Sequence, residues 1–348
     1  MTQSLSAQTR ARRTNGSYPE RTYRTGRRHV LDLDDFSVEE IEEVFQNTDA
    51  MREVMNRDIK KVPTLRGKTV ITLFTEASTR TRVSFEQAGK IMSADVINVS
   101  GSGSSVEKGE SLYNTALTLQ AMNADIIVIR HSHSGAPHFL ARNLDACVIN
   151  AGDGTHAHPT QTLLDMYTMR ERFGRVEGLK VVIVGDILYS RVARSNLWGL
   201  TRMGAEVTLC APPTLIPQDM LNGISEMDGH PFASVKIERD VEKALDGADV
   251  VYALRLQLER QRAGHLPSLR EYSRTYGINP ERLELAKPGA LIMHPGPMNE
   301  GVEIDPDVAH GTRSVIEEQV TNGVAIRMAL LYGVATPVRE QLFRAERV

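Results

Sequence analysis

The residues able to do chemistry follow short apolar runs. The run 69–74 (TVITLF) is followed by Thr75-Glu76-Ala77-Ser78-Thr79-Arg80-Thr81-Arg82 and then by a helical stretch. Ser78 sits where a helix N-cap belongs. Hydroxyls, unpaired backbone N–H groups and an arginine at a helix start suit a phosphate, although an ordinary capped helix with surface arginines has the same residues. Gly67-Lys68-Thr69 ends like a phosphate-binding P-loop, but that motif needs a glycine five residues before Gly67, and position 62 is Val.

Further candidates repeat the placement. The Gly/Ser-rich segment 101–111 carries Ser104 and Lys108, and reads either as a mobile loop closing a cation over an anionic substrate or as a plain connection. Arg130 follows the run 124–129. His158 and Gln161 open a helical run (TLLDMYTM), where a neutral imidazole or an amide can donate to a carbonyl oxygen gaining charge. Arg191 and Arg255 follow the runs 179–184 and 249–254. Two arginines at separate strand ends suit a dicarboxylate, since guanidinium groups pair carboxylates bidentately. His294-Pro295-Gly296-Pro297 follows 289–293. The pairs His131-x-His133 and His156-x-His158 resemble metal ligands, but no Asp, Glu or Cys with metal spacing accompanies them, so no metal site is read here.

These residues need a frame. Ser37 and Glu40 form a capping box before an amphipathic helix to about Arg57. Apolar runs at 69–74, 94–99, 124–129 and 146–150, then 179–184, 205–210, 233–237, 249–254 and 289–293, alternate with helical stretches. Short apolar strands separated by helices predict parallel sheets covered on both faces. Two such series, joined near 159–178, predict an α/β protein of two doubly wound domains linked by two crossover helices. The last helical segment, about 314–333, is long enough to run back across the first domain. Ligands of such sheets bind beyond the carboxyl ends of the strands, where the candidates sit.

Composition narrows the class. The 348 residues are 41% apolar and 24% charged, enough for about two domains with real cores. A net charge of −3 argues against a nucleic-acid partner held by bulk charge, and no apolar stretch approaches a membrane span. Cys147 and Cys210 both lie in apolar runs, which argues against a disulfide framework or a thiolate zinc site. Residues 1–29 hold seven arginines against one acid, Glu20, giving +6 and leaving −9 for the remainder. Segment 1–28 therefore reads as a disordered basic tail. Its composition is shared by organellar transit peptides, but Leu5, Tyr18 and Tyr23 make a poor apolar face. A cytoplasmic setting is expected.

The motifs resemble those of the aspartate carbamoyltransferase family: Phe74-x-Glu-Ala-Ser-Thr-Arg-Thr-Arg82, Lys108-Gly-Glu-Ser111, His158-Pro-Thr-Gln161, Gly185-Asp-Ile-Leu-x-Ser-Arg191, Arg255-x-Gln257-x-Glu-Arg260 and His294-Pro-Gly-Pro297. They stand in family order and span about 29–335. The resemblance implies transfer of a carbamoyl group from carbamoyl phosphate to L-aspartate, without metal or organic cofactor. It implies that Ser78, Thr79, Arg80, Thr81 and Arg130 hold the phosphate. Thr81, Arg130 and His158 would polarise the carbonyl, and Arg80 would stabilise the leaving group. Gln161 and the backbone of Pro295, Gly296 and Pro297 would hold the carbamoyl amino group. Arg191, Arg255 and Gln257 would bind the aspartate carboxylates. Ser104 and Lys108 would reach into the adjacent subunit of a homotrimer, with a regulatory subunit or a dihydroorotase as possible further partners. The domains implied are 29–160 plus 318–348 for carbamoyl phosphate and 161–317 for aspartate.

Ornithine carbamoyltransferases share the phosphate half, but their His-Cys-Leu-Pro segment is His-Pro-Gly-Pro here, and their Lys in the first motif is Glu76. Three positions depart from the family pattern: Tyr189 for a frequent His, Glu300 for a frequent Arg, and Asn114 for a frequent Asp. Glu300 would bring negative charge near an anion-binding segment. An inactive paralogue acting as scaffold, or a carbamoyltransferase with another amine acceptor, is the alternative reading.

Overall fold

The computed structural model describes residues 27–100, 109–221, 230–260 and 264–335. Its strands form two wholly parallel sheets. The first contains β1 (Thr69–Phe74), β2 (Asp95–Ser100), β3 (Ile126–His131) and β4 (Cys147–Asp153), in the order β2-β1-β3-β4. The second contains β5 (Lys180–Val184), β6 (Glu206–Cys210), β7 (Lys236–Glu238), β8 (Val250–Ala253) and β9 (Leu291–Met293), in the order β7-β6-β5-β8-β9. All nine predicted strands are present. The least accurate expectation is the edge strand β7, which lies three residues beyond the start of the run 233–237.

In each sheet the chain leaves the first strand to one side and returns to the other. The switch points therefore lie between β1 and β3 and between β5 and β8, and a crevice opens at the carboxyl ends there. The strands are buried on both faces, with side chains alternating between two cores. Val70 and Phe74 of β1 join one apolar cluster, and Ile71 and Leu73 join the other.

Helices cover both faces. They are α1 (Val38–Met55), α2 (Thr79–Ile91), α3 (Leu112–Ala121) and α4 (Ala136–Asn143), then α5 (Pro159–Phe173) and α6 (Arg191–Arg202). Short helices α7 (Gln218–Leu221), α8 (Val241–Leu245), α9 (Leu269–Tyr276), α10 (Pro280–Leu283) and α11 (Pro306–Ala309) serve the second sheet, and α12 (Ile316–Ala335) ends the described chain. The capping box of α1 is complete: Glu40 N donates to Ser37 Oγ at 3.2 Å, and Ser37 N donates to Glu40 Oε2 at 2.8 Å.

Two helices link the halves. α5 begins where β4 ends, and every residue from Pro159 to Met169 is buried, so it is an internal helix rather than an amphipathic cover. α12 packs against α1, α2 and α5. A Cβ on Gly323 would meet Leu164 at 3.1 Å, so the glycine allows α12 to approach α5 closely. One apolar cluster runs from α1 through these two helices into the second sheet.

The basic segment 1–26 lies outside the described residues. Arg27 and Arg28, within the expected disordered tail, are placed. Arg27 pairs with Asp35 at 2.8 Å and Glu40 at 2.7 Å and lies 3.9 Å above the Phe36 ring, while Arg28 donates to the carbonyls of Leu144 and Asp145. No helix among the described residues is long and apolar enough to cross a membrane.

Candidate active site

The two switch points face a single cavity of about 720 Å³ between the sheets. Ser78, Thr79, Arg80, Thr81, Arg130, His158, Gln161, Arg191, Arg255, Gln257, Pro295, Gly296 and Pro297 all line it. Ser104 and Lys108 lie outside the described residues.

Ser78 takes the extended N-cap backbone of α2, but its side chain makes no capping hydrogen bond. The start of α2 thus leaves N–H groups open to an incoming anion, at the positive end of the helix dipole. Arg80 reaches across to the loop after β9. A Cβ on Gly296 would fall 2.2–2.4 Å from the Arg80 guanidinium, and Gly296 has φ +63°. Gly296→Ala is therefore expected to expel Arg80 and lower kcat about 100-fold, the scale of a 1 Å misplacement. Steady-state kinetics check this, and wild-type values would show that the approach is unimportant.

Glu76 organises the cationic wall. Its carboxylate accepts from Arg130 Nη2 at 2.7 Å, from Arg260 Nη2 at 3.2 Å and from both terminal nitrogens of Arg191. Burial works to raise the Glu76 pKa, but the Arg191 hydrogen bond and the three cationic charges outweigh it and hold the group below its ordinary value. Arg191 is buried and also donates to the Gly154 carbonyl at 3.2 Å. A Cβ on Gly152, whose φ is +116°, would sit 2.9 Å from the Arg191 guanidinium and 3.0 Å from Arg130, so that turn admits only glycine.

The second sheet contributes an ordered loop pair. Asp186 accepts from Tyr189 N and Gln257 N, both at 3.0 Å, tying the loop after β5 to the loop after β8. Arg255 donates to Gln257 at 3.1 Å and pairs with Glu259.

His158 occupies the N-cap position of α5 with its ring buried, and its backbone N donates to Ser195 Oγ at 2.9 Å. Burial first, then the charges of Arg130 and Arg191, push its pKa well down, so the imidazole is neutral with one N–H to donate. Gln161 Nε2 donates to Asp165 at 2.9 Å. The loop after β9 is braced separately: Gly296 N donates to His294 Nδ1 at 2.7 Å, while His294 Nε2 lies 3.2 Å from Glu303.

Reading the sequence alone missed four groups. Glu76 served there only as a contrast with ornithine enzymes, and Arg260 had no role. Asp165 is hidden inside a helical run. Arg327 is buried on α12, lines the cavity, and has an Nε without a partner; a lone arginine within the apolar stretch 324–331 was its available signal. The His156-x-His158 pair comes apart, whereas the rings of His131 and His133 stay 5.1 Å from each other. His156 meets Asp153 at 3.1 Å and Asp32 at 3.2 Å, and forms with His138 and Asp153 a group whose ligand atoms lie within 4.8 Å. An acid therefore does accompany His156, against the sequence reading. Asp153 is already committed to Gly135 N, Asn150 Nδ2 and Ala157 N, which makes it a structural brace of the loop. Glu300 pairs with His310 outside the cavity lining, so its charge does not enter the site as expected. Tyr189 is bonded to His265 at 3.0 Å, and Asn114 N to the capping Ser111 Oγ at 3.2 Å.

The sequence matches two family profiles, the aspartate/ornithine carbamoyltransferase carbamoyl-P binding domain over residues 28–171 and the Asp/Orn binding domain over residues 177–334. The chain belongs to the aspartate/ornithine carbamoyltransferase family. It is 62% identical over 310 residues to an aspartate carbamoyltransferase catalytic subunit of Roseiflexus sp. (strain RS-1), covering 89% of this chain and 95% of that one. Aspartate transcarbamoylase from Trypanosoma cruzi, solved with carbamoyl phosphate and aspartate, superposes with a TM-score of 0.79 at 29% identity, over 89% and 97% of the two chains. Ornithine carbamoyltransferase from Pyrococcus furiosus superposes almost equally, at 0.78 and 28% identity over 88% and 96%. The fold is thus common to both acceptor types in this family, and the amine acceptor must be read from side chains.

Proposed function

We propose that this protein transfers the carbamoyl group of carbamoyl phosphate to the α-amine of L-aspartate, giving N-carbamoyl-L-aspartate and phosphate, the early step of pyrimidine synthesis. The observation that carries the reading is the pair of anion cradles facing one cavity. The open start of α2 with Arg80 and Arg130 suits a phosphate, and Arg191 with Arg255 suits a dicarboxylate. A cationic ornithine side chain would meet Arg191 and Arg255 instead.

In this reading the neutral amine attacks the carbonyl carbon, forming C–N. The oxyanion takes hydrogen bonds from Thr81, Arg130 and the neutral His158. The bond between the carbonyl carbon and the bridging oxygen then breaks, and the leaving phosphate, held by Ser78, Thr79, Arg80, Thr81 and Arg130, takes the amine proton. Gln161 and the Pro295–Pro297 backbone hold the carbamoyl NH₂, and Gln257 joins the two arginines on aspartate. Positioning and a preorganised field supply the acceleration without a nucleophile or general base. The domain division is 29–160 plus 318–348 against 161–317. The setting is cytoplasmic and the working unit a homotrimer, to which Ser104 and Lys108 bring residues of the neighbouring subunit.

Phosphate release from carbamoyl phosphate is expected with L-aspartate and not with L-ornithine or without acceptor. Release with ornithine, or with neither, would overturn the assignment. The shared site has its own check. Lys108→Ala and Arg80→Ala, each inactive alone, are expected to regain partial activity when their subunits are dissociated, mixed and reassembled. Mixed trimers without activity would refute it.

A further inference from the structure

Asp165 lies on α5 one turn beyond Gln161 and is fully buried. Its Oδ1 accepts from Gln161 Nε2 at 2.9 Å and from Gln319 Nε2 on α12 at 2.7 Å, and its Oδ2 accepts from the Tyr252 hydroxyl on β8 at 2.6 Å. Three elements from both halves of the molecule thus converge on one carboxylate. Burial raises its pKa to about 6, so it is ionised at the alkaline pH that a neutral attacking amine requires.

A carboxylate offers acceptors only. Any amide touching it must do so through its NH₂ end, which turns the amide oxygen the other way. For Gln319 the result is visible: its Oε1 accepts from His294 N at 3.0 Å, at the root of the Pro295–Pro297 loop. Gln161 lines the cavity and obeys the same constraint, so its oxygen is the end left for a ligand. One buried charge therefore fixes the polarity of one amide that meets the ligand and of another that anchors the adjoining loop.

We propose that Asp165 is a positioning residue that makes Gln161 present an acceptor to the cavity, and so makes the site select an acyl phosphate bearing N–H groups. This rests on the carbamoyl-transfer reading above. A carbamoyl NH₂ satisfies the Gln161 oxygen, whereas the methyl of acetyl phosphate leaves it unpaired in a buried setting, the situation that gives binding sites their sharpest rejection. With asparagine at 165, the side chain can donate as well as accept, and the Gln161 amide is released to turn either way.

The test compares Asp165→Asn with the wild-type protein, reading KM for carbamoyl phosphate and inhibition constants for acetyl phosphate and inorganic phosphate. The preference for carbamoyl over acetyl phosphate is expected to fall at least tenfold, with inhibition by inorganic phosphate unchanged within twofold. The double variant Gln161→Glu/Asp165→Asn conserves net charge and returns an acceptor to position 161. It is expected to recover the preference even if both acyl phosphates bind more weakly, and it keeps the proposal testable if the single variant fails to fold. An unchanged preference in Asp165→Asn, an equal weakening of all three ligands, or a double variant without recovery would overturn the proposal. A wild-type protein that does not turn over carbamoyl phosphate with aspartate would instead overturn the reading beneath it.

Discussion

Glu76→Ala is expected to lower Tm by about 5 °C and to raise the KM for aspartate at least tenfold. Arg130 comes from the first sheet, and Arg191 and Arg260 from the second, so Glu76 both neutralises the wall and fastens the halves. Without it, three guanidinium groups surround a gap and repel one another in a largely buried setting. Breaking a buried ion pair by removing one partner costs about 3–5 kcal/mol, and a chain of this size loses roughly 1.4 °C per kcal/mol. Arg191 also loses the carboxylate that orients it, which is why aspartate affinity falls with stability. Saturating phosphate is expected to return part of the lost Tm, because an anion again occupies the cationic wall. Thermal unfolding and steady-state kinetics check this, and a variant with wild-type Tm and KM would show that Glu76 organises nothing.

Arg80→Met is expected to behave in the opposite way, with kcat about 10³-fold lower and stability within about 0.5 kcal/mol of wild type. Arg80 lines the cavity wall, where partial desolvation and the charge of Arg255 disfavour its ionised form. It therefore serves the ligand rather than the fold. Methionine keeps the apolar stem and removes the guanidinium that lies against Gly296. Rapid-quench or steady-state measurement of kcat beside thermal unfolding separates the two effects. An active variant, or one that unfolds, would contradict the assignment of Arg80 to the leaving phosphate.

The strands were legible because a parallel strand covered on both faces must be apolar throughout, as in 69–74 and 179–184. β7 was the hardest to place: it is a three-residue edge strand, its first residue exposed and the other two half-buried, with little apolar signal to fix its start. The strand-end rule then located most of the cavity wall, since ligand-facing residues sit where strands stop. Partnerships were another matter. Glu76 meets arginines 54, 115 and 184 positions away, and Asp165 meets Gln319 across 154 positions. No local pattern encodes which distant donor a carboxylate will find, because sheet order and crossover packing decide it. For the same reason His156 looked like half of a metal pair until the fold brought Asp153 and Asp32 to its two nitrogens.

The return of α12 to the first sheet also sets the order in which the chain can fold during its synthesis. The surfaces of α1 and α2 that α12 covers are formed by residues made early, whereas α12 is the last of the described elements to be made. At ribosomal rates of about 5–20 residues per second, that apolar face waits on the order of ten seconds for its cover, while the second sheet can already close. The nascent first domain is thus a natural client for chaperones. A chain stopped just before residue 316 would carry a finished second sheet and an uncovered first half, and would be open to aggregation.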